Sequence, residues 1–196
     1  DLRGIGTYVR GQATTGAGIR PYPYSVDQNR SMYDYEDIAV LSVPHGIGSV
    51  WCAMLWDMYW NFIDKYGFDE DIYNGTGGNN MAIQLVVDGM KLQPCNPGFE
   101  DARDAILLAD ELNNKGKNQK LIWEAFGGRG LGWDADGGDP NDRTDGRNGF
   151  EIPPKYRGII AVEKTALDRI SEEEELVYNV SWANESGQTY YNVVVV

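Results

Sequence analysis

Histidine is almost missing from this chain: His45 is the only one in 196 residues. A catalytic zinc site draws on two or three imidazoles with a carboxylate, so that count excludes a self-contained one. Cysteine is scarce as well. Cys52 and Cys95 allow one bridge at most, rule out a Cys-rich zinc site and leave the redox compartment open. Basic charge is in deficit, with 17 Lys and Arg against 30 Asp and Glu for a net charge of −13. Such a chain has no basic patch to offer a phosphate backbone or an anionic bilayer, which sets nucleic acid aside as a partner. No uncharged apolar run reaches the length of a membrane span, and DLRGIGTYVR lacks the basic start and apolar stretch of a signal peptide. The chain opens without an initiator methionine and closes inside a β-branched run. It is therefore expected to be a processed product or a segment of a larger protein.

What is present is ordered along the chain. Residues 1–44 are rich in Gly, Pro, Tyr and Ser and read as loop with short extended pieces. From Ile47 the apolar residues Val50, Trp51, Met54, Leu55, Met58 and Phe62 recur every three or four positions, predicting a mostly buried helix that stops near Gly67. NGTGGNNMAIQLVVDGMKLQPCNP predicts a second, with an Asn N-cap and a stop at Pro94. For the third, GFEDARDAILLADELNNKG, Asn96 is expected as N-cap and Pro97 as first helical residue. KNQKLIWEAFGG predicts one more short helix. DADGGDPNDRTDGRNG is an acidic loop, EIPPKYRG a linker, and IIAVEKTA, ELVYNVSWANES and TYYNVVVV read as strands. The expected division is 1–152, a linker over 153–158, and 159–196.

Few side chains stand out chemically. His45 lies between Pro44 and Gly46 at the head of the long helix, near the positive end of its dipole, where it serves either as a structural residue or as a hydrogen-bond donor in a site. Asp134, Asp136, Asp139, Asp142 and Asp145 offer oxygens at short spacing, as calcium loops do, although an EF-hand order is absent. The alternative is a solvated acidic loop. Trp51, Trp56, Trp60 and Trp133 could form a stacking platform, but helical spacing of the first three favours packing.

Four blocks in order carry a resemblance: GAGIRPYPYS (16–25), VPHGIGSVWCAMLWDMYWNFIDKYG (43–67), AIQLVVDGMKLQPCNPGFEDARDAILLAD (82–110) and NQKLIWEAFGGRGLG (118–132). Over residues 3–153 the wording closely resembles the fungalysin family of zinc metallopeptidases. The resemblance implies a mainly α fold, the helical C-terminal lobe of a thermolysin-like peptidase, with zinc held by an upstream HExxH helix and a further glutamate, neither of which occurs here. It implies that His45 faces the cleft and donates to the oxyanion formed when zinc-bound water attacks a peptide carbonyl, and that Arg20 holds a substrate carbonyl. The implied partners are a protein or peptide substrate and the N-terminal half of the peptidase domain. In many relatives the cysteine of LQPC pairs with one in an NQC segment; here Lys120 stands at that place, so Cys95 is expected without that partner. The tail from 159 is similar to the opening strands of a DUF11-type repeat, an Ig-like module of surface proteins, and is expected to be incomplete.

Two functions of different class follow as expectations. One is a part of a secreted zinc endopeptidase, inactive alone. The other is a non-catalytic cell-surface scaffold or interaction protein that kept the helical lobe; an upstream HExxH discriminates the two.

Overall fold

The three-and-four spacing of apolar residues after His45 closes into one long helix. In a computed structural model that describes residues 3–157, 160–166 and 178–184, α1 runs His45–Tyr66, two residues earlier than the spacing predicts. At 1.5 Å per residue it is about 33 Å long. Val50, Met54, Met58 and Phe62 have no exposed surface, and each such burial stabilises the fold by about 1.5–3 kcal/mol. Gly67, with φ 79°, ends the helix as the pattern predicts.

Three further helices among the described residues follow: α2 Gly78–Leu92, α3 Phe99–Asn114 and α4 Gln119–Gly127. Helix α2 packs on α1 and α3, while α4 packs on α1 and α3, so α1 is covered on two sides. Leu85 of α2, Ile106 of α3 and Ile122 and Phe126 of α4 complete the core. Close approach of α1 and α2 depends on Gly78, where an added Cβ would lie 2.1 Å from the Phe62 carbonyl oxygen.

Two helix starts differ from expectation. Helix α3 begins at Phe99 with Gly98 as N-cap, because Asn96 adopts a left-handed φ of 56° and a capping residue needs extended backbone. Asp101 Oδ2 accepts the Gly98 N–H at 2.9 Å instead. Helix α2 is capped by Gly77 rather than by an asparagine. Asn79 makes tertiary contacts in place of a cap. Fully buried, it accepts the Asp69 N–H at 2.9 Å and donates to the Asp69 carbonyl at 2.8 Å, pinning the α1–α2 loop.

The chain divides into two compact units, 1–152 and 153–196. In the second, a 3-10 turn at Pro154–Tyr156 precedes strands β1 Ile160–Ala166 and β2 Tyr178–Asn184. They pair antiparallel with Ile160 opposite Asn184 and Ala166 opposite Tyr178. The third expected strand, TYYNVVVV, lies outside the described residues, so the Ig-like reading rests on likeness of sequence.

Candidate functional site

His45 is the first residue of α1 and is exposed. The backbone around it is tied on every side. Gly46 N–H donates to the Ser42 carbonyl at 2.7 Å, Gly48 N–H to the Pro44 carbonyl at 3.0 Å, and Ser49 Oγ to the His45 carbonyl at 3.0 Å. Gly46 is required by space: a Cβ there would stand 2.8 Å from Leu41 Cβ, so glycine lets residues 41–42 fold back against the helix start. The imidazole is thus presented to solvent from a backbone that has little freedom to move.

The segment before α1 is braced by the acidic loop. Arg143 Nη1 donates to the Leu41 carbonyl, and Tyr35 Oη donates to the Gly137 carbonyl at 3.1 Å. Asn148 Oδ1 accepts the Glu36 N–H at 3.0 Å while Glu36 Oε1 accepts the Asn148 N–H at 3.1 Å. Burial, and then the nearby Glu100, Asp145 and Asp136 carboxylates, push the Tyr35 phenol up to about 12, so it remains a donor. These contacts make the loop a brace for the approach to His45.

The five loop aspartates named as calcium candidates are engaged in hydrogen bonds within the protein. Among the described residues no three His, Cys, Asp or Glu side chains are placed to hold a metal ion. The carboxylates serve backbone amides instead. Asp134 accepts from Glu151 N–H at 2.8 Å, Asp136 from Gly138 at 3.2 Å, Asp139 from Asn141 at 2.9 Å, Asp142 from Thr144 at 2.9 Å, and Asp145 from Asp139 at 2.9 Å. Those of Asp136, Asp139 and Asp142 are short Asx turns, each tying a carboxylate to the amide two residues on.

Arg20, half-buried, sits among tyrosines. Tyr22 and Tyr33 meet edge to face at 5.0 Å; burial raises the Tyr24 and Tyr33 phenols above their ordinary range, and the Arg20 charge opposes that rise. Tyr33 is buried beside Ser49, although its Oη makes no hydrogen bond of regular geometry. Ser49 in turn donates to the His45 carbonyl, so Tyr33 and His45 both neighbour the first turn of α1.

The anchor of this neighbourhood is a residue that the sequence patterns do not single out. Arg129, fully buried after α4, donates to Asp57 Oδ2 at 2.7 Å and Oδ1 at 3.2 Å, to the Ser25 carbonyl at 2.8 Å and to the carbonyls of Ser31 and Tyr33. One guanidinium therefore holds the 25–33 segment against α1 and the end of α4. Arg103 acts similarly, donating to the Leu131 and Gly132 carbonyls at 3.1 and 2.8 Å while lying over the Trp123 ring. A charged residue inside the glycine run GGRGLG was the available signal.

Among the described residues no three His, Cys, Asp or Glu side chains are placed together as zinc ligands. The single imidazole has no second histidine, and among the described residues no acidic or thiol cluster joins it. Cys52 is half-buried and Cys95 exposed, both free thiols. Trp51 packs between Phe99 and Phe126 at 5.3 and 5.4 Å, which is core packing rather than a stacking platform. Among the described residues no helix is long and apolar enough to cross a membrane.

Comparison with known proteins agrees with the four-block resemblance. Residues 1–135 match the family described as Fungalysin metallopeptidase (M36). The chain is 46% identical over 126 residues to "Extracellular metalloproteinase 2" of Arthroderma gypseum, a match covering 61% of this chain and 20% of that protein. It is 46% identical over 126 residues to "Extracellular metalloproteinase MEP" of Neosartorya fischeri, again 61% and 20%. With "Extracellular metalloproteinase 1" of Trichophyton equinum identity is 45% over 145 residues, covering 70% of this chain and 23% of that protein. The chain thus spans about a fifth of the length of the curated relatives it matches. With more than half its length matched, and the blocks around Arg20, His45 and Arg129 inside the match, this chain belongs to the fungalysin family of metallopeptidases.

Proposed function

We propose that this chain is one part of a secreted zinc metalloendopeptidase and supplies one wall of its active-site cleft. The observation that carries the reading is His45: an exposed imidazole on the first residue of a buried helix, its backbone held by Ser42, Pro44 and Ser49 and the segment before it braced by Arg143. An imidazole N–H presented from so constrained a backbone suits stabilisation of an oxyanion, where a donor already in place needs no reorganisation as charge develops. His45 donates to the oxyanion formed on the scissile carbonyl, and Arg20, held among Tyr24 and Tyr33, binds a neighbouring substrate carbonyl. The substrate is a protein or peptide; the relatives' printed names as extracellular metalloproteinases support both that class and secretion.

The metal ligands belong to the N-terminal half of the peptidase domain, which carries HExxH and is the partner of this lobe. Residues 159–196 begin an Ig-like spacer in this reading, with 1–152 as the lobe and 153–158 as the link.

The test is His45→Ala in the full parent protein, assayed by hydrolysis of a protein substrate. Losing an oxyanion donor should lower kcat/KM on the order of a hundredfold, with the melting temperature unchanged because the side chain is exposed. A loss within about threefold removes the assignment. Absence of HExxH from the parent's coding sequence would replace the reading with the non-catalytic scaffold.

A further inference from the structure

Besides the apolar groove of about 390 Å³ between α1 and α2, the first unit holds a cavity of about 380 Å³ beside the loop that joins those helices. That volume accommodates a small ligand, and the walls suit a sugar. Ile72 and Tyr73 supply apolar surface, while Asn80 and Asn113 supply amides. Asn80 Oδ1 is buried and accepts no hydrogen bond among the described residues. Gly75 and Thr76 line the cavity too, so the residues on both sides of Asn74 border it and Asn74 stands at its rim.

Asn74-Gly75-Thr76 has the Asn-x-Thr form of an acceptor for N-linked glycosylation. Four Asn-x-Ser/Thr triplets occur in the chain, and this one is the best placed. In 29–31 the hydroxyl residue Ser31 is fully buried, 179–181 lies within β2, and 184–186 starts on the last residue of that strand. In 74–76 no residue is buried. The loop is held by other groups: Asp71 Oδ1 accepts the Tyr73 and Asn74 N–H groups at 3.0 Å, and Asp69 Oδ2 accepts the Thr76 N–H at 3.1 Å. Asn74 Nδ2 reaches Asp71 Oδ2 at 3.3 Å, a long bond between two exposed groups that leaves the amide accessible. Beside it the loop exposes an apolar tip, with Ile72 60% and Tyr73 94% exposed, which a bulky polar chain would cover.

We propose that Asn74 carries an N-linked oligosaccharide and that its first sugar lies in the adjoining cavity against Tyr73. The co-substrate is an oligosaccharide carried on a lipid diphosphate. Asn74 Nδ2 forms a bond to the anomeric carbon, the bond from that carbon to the diphosphate oxygen breaks, the diphosphate leaves with the electron pair, and one Nδ2 proton passes to a base of the transferase. The inference rests on the secretion in the reading above, not on the role of His45.

The experiment takes the full parent protein as its own source releases it and maps tryptic peptide 66–91, which contains no other such triplet. The peptide should carry sugar mass, and enzymatic release of the glycan should leave aspartate at position 74. Thr76→Ala, which keeps Asn74, should abolish the modification and lower the melting temperature by at least about 2 °C. In a Tyr73→Ala background the sugar should still attach, but the Thr76→Ala difference should fall below about 1 °C, because the seat is gone. A bare Asn74 in parent protein recovered from the medium overturns the proposal and leaves the peptidase reading intact, as does sugar that persists in Thr76→Ala. An undiminished difference in the Tyr73→Ala background overturns the seating. Parent protein found only inside cells removes secretion and this inference with it.

Discussion

Arg129 and Asp57, 72 residues apart, form a two-point ion pair of 2.7 and 3.2 Å against the 25–33 segment. Burial raises the Asp57 carboxyl above its ordinary range, and the Arg129 hydrogen bonds and charge oppose that rise. Neither partner can be removed cheaply. Arg129→Met leaves Asp57 buried without its cation and the Ser25, Ser31 and Tyr33 carbonyls without their donor. A loss of about 3–5 kcal/mol in urea unfolding is expected, and one below about 1 kcal/mol would show that water replaces the guanidinium.

Gly78→Ala tests the α1–α2 contact. Within a helix alanine is favoured over glycine by about 1 kcal/mol, yet here its Cβ would meet the Phe62 carbonyl oxygen at 2.1 Å. The clash is with backbone and should prevail, at a net cost of about 1–3 kcal/mol by thermal unfolding. A stabilised variant would mean that the two helices can move apart freely.

Asp88 supplies a pH dependence. Lys91, Gln84 and Asn113 all donate to its carboxylate, holding its pKa at about 2 against an ordinary 3.8. A depressed carboxyl contributes stability above its unfolded value and loses it as pH falls toward the folded one. The difference in stability between wild type and Asp88→Asn should be full above about pH 4, at no more than about 1 kcal/mol for a surface pair, and vanish near pH 2. A difference independent of pH would assign the effect to something other than the charge.

The acidic loop should ignore calcium. Its carboxylates are engaged by Gly138, Asn141, Thr144, Asp139 and Glu151 amides, so calcium at about 1 mM, where extracellular modules bind it, is expected to leave the melting temperature within about 1 °C. A rise of several degrees would support the calcium reading of Asp134, Asp136, Asp139, Asp142 and Asp145.

The helices can be read from the sequence where their pattern is local. Val50, Met54, Met58 and Phe62 announce α1 through their spacing, and Gly67 announces its end. Helix starts are less legible, since Asn79 and Asn96 look like caps in sequence but are drawn into contacts with Asp69 and Asn141. His45 and Arg20 can be named from the four blocks, whereas the residues that hold them cannot.

By itself the sequence determined the order and approximate place of the four helices, the acidic charge, the single imidazole and membership of the fungalysin family, because these depend on composition, short-range period and local wording. Tertiary structure alone decided that Arg129 joins Ser25 to Asp57, that Arg143 braces Leu41, that the aspartates serve their own loop, and that an apolar groove remains open between α1 and α2. Those facts join residues as many as 104 positions apart, and separations of that size leave no periodic mark on a chain; only packing brings such partners within hydrogen-bonding distance.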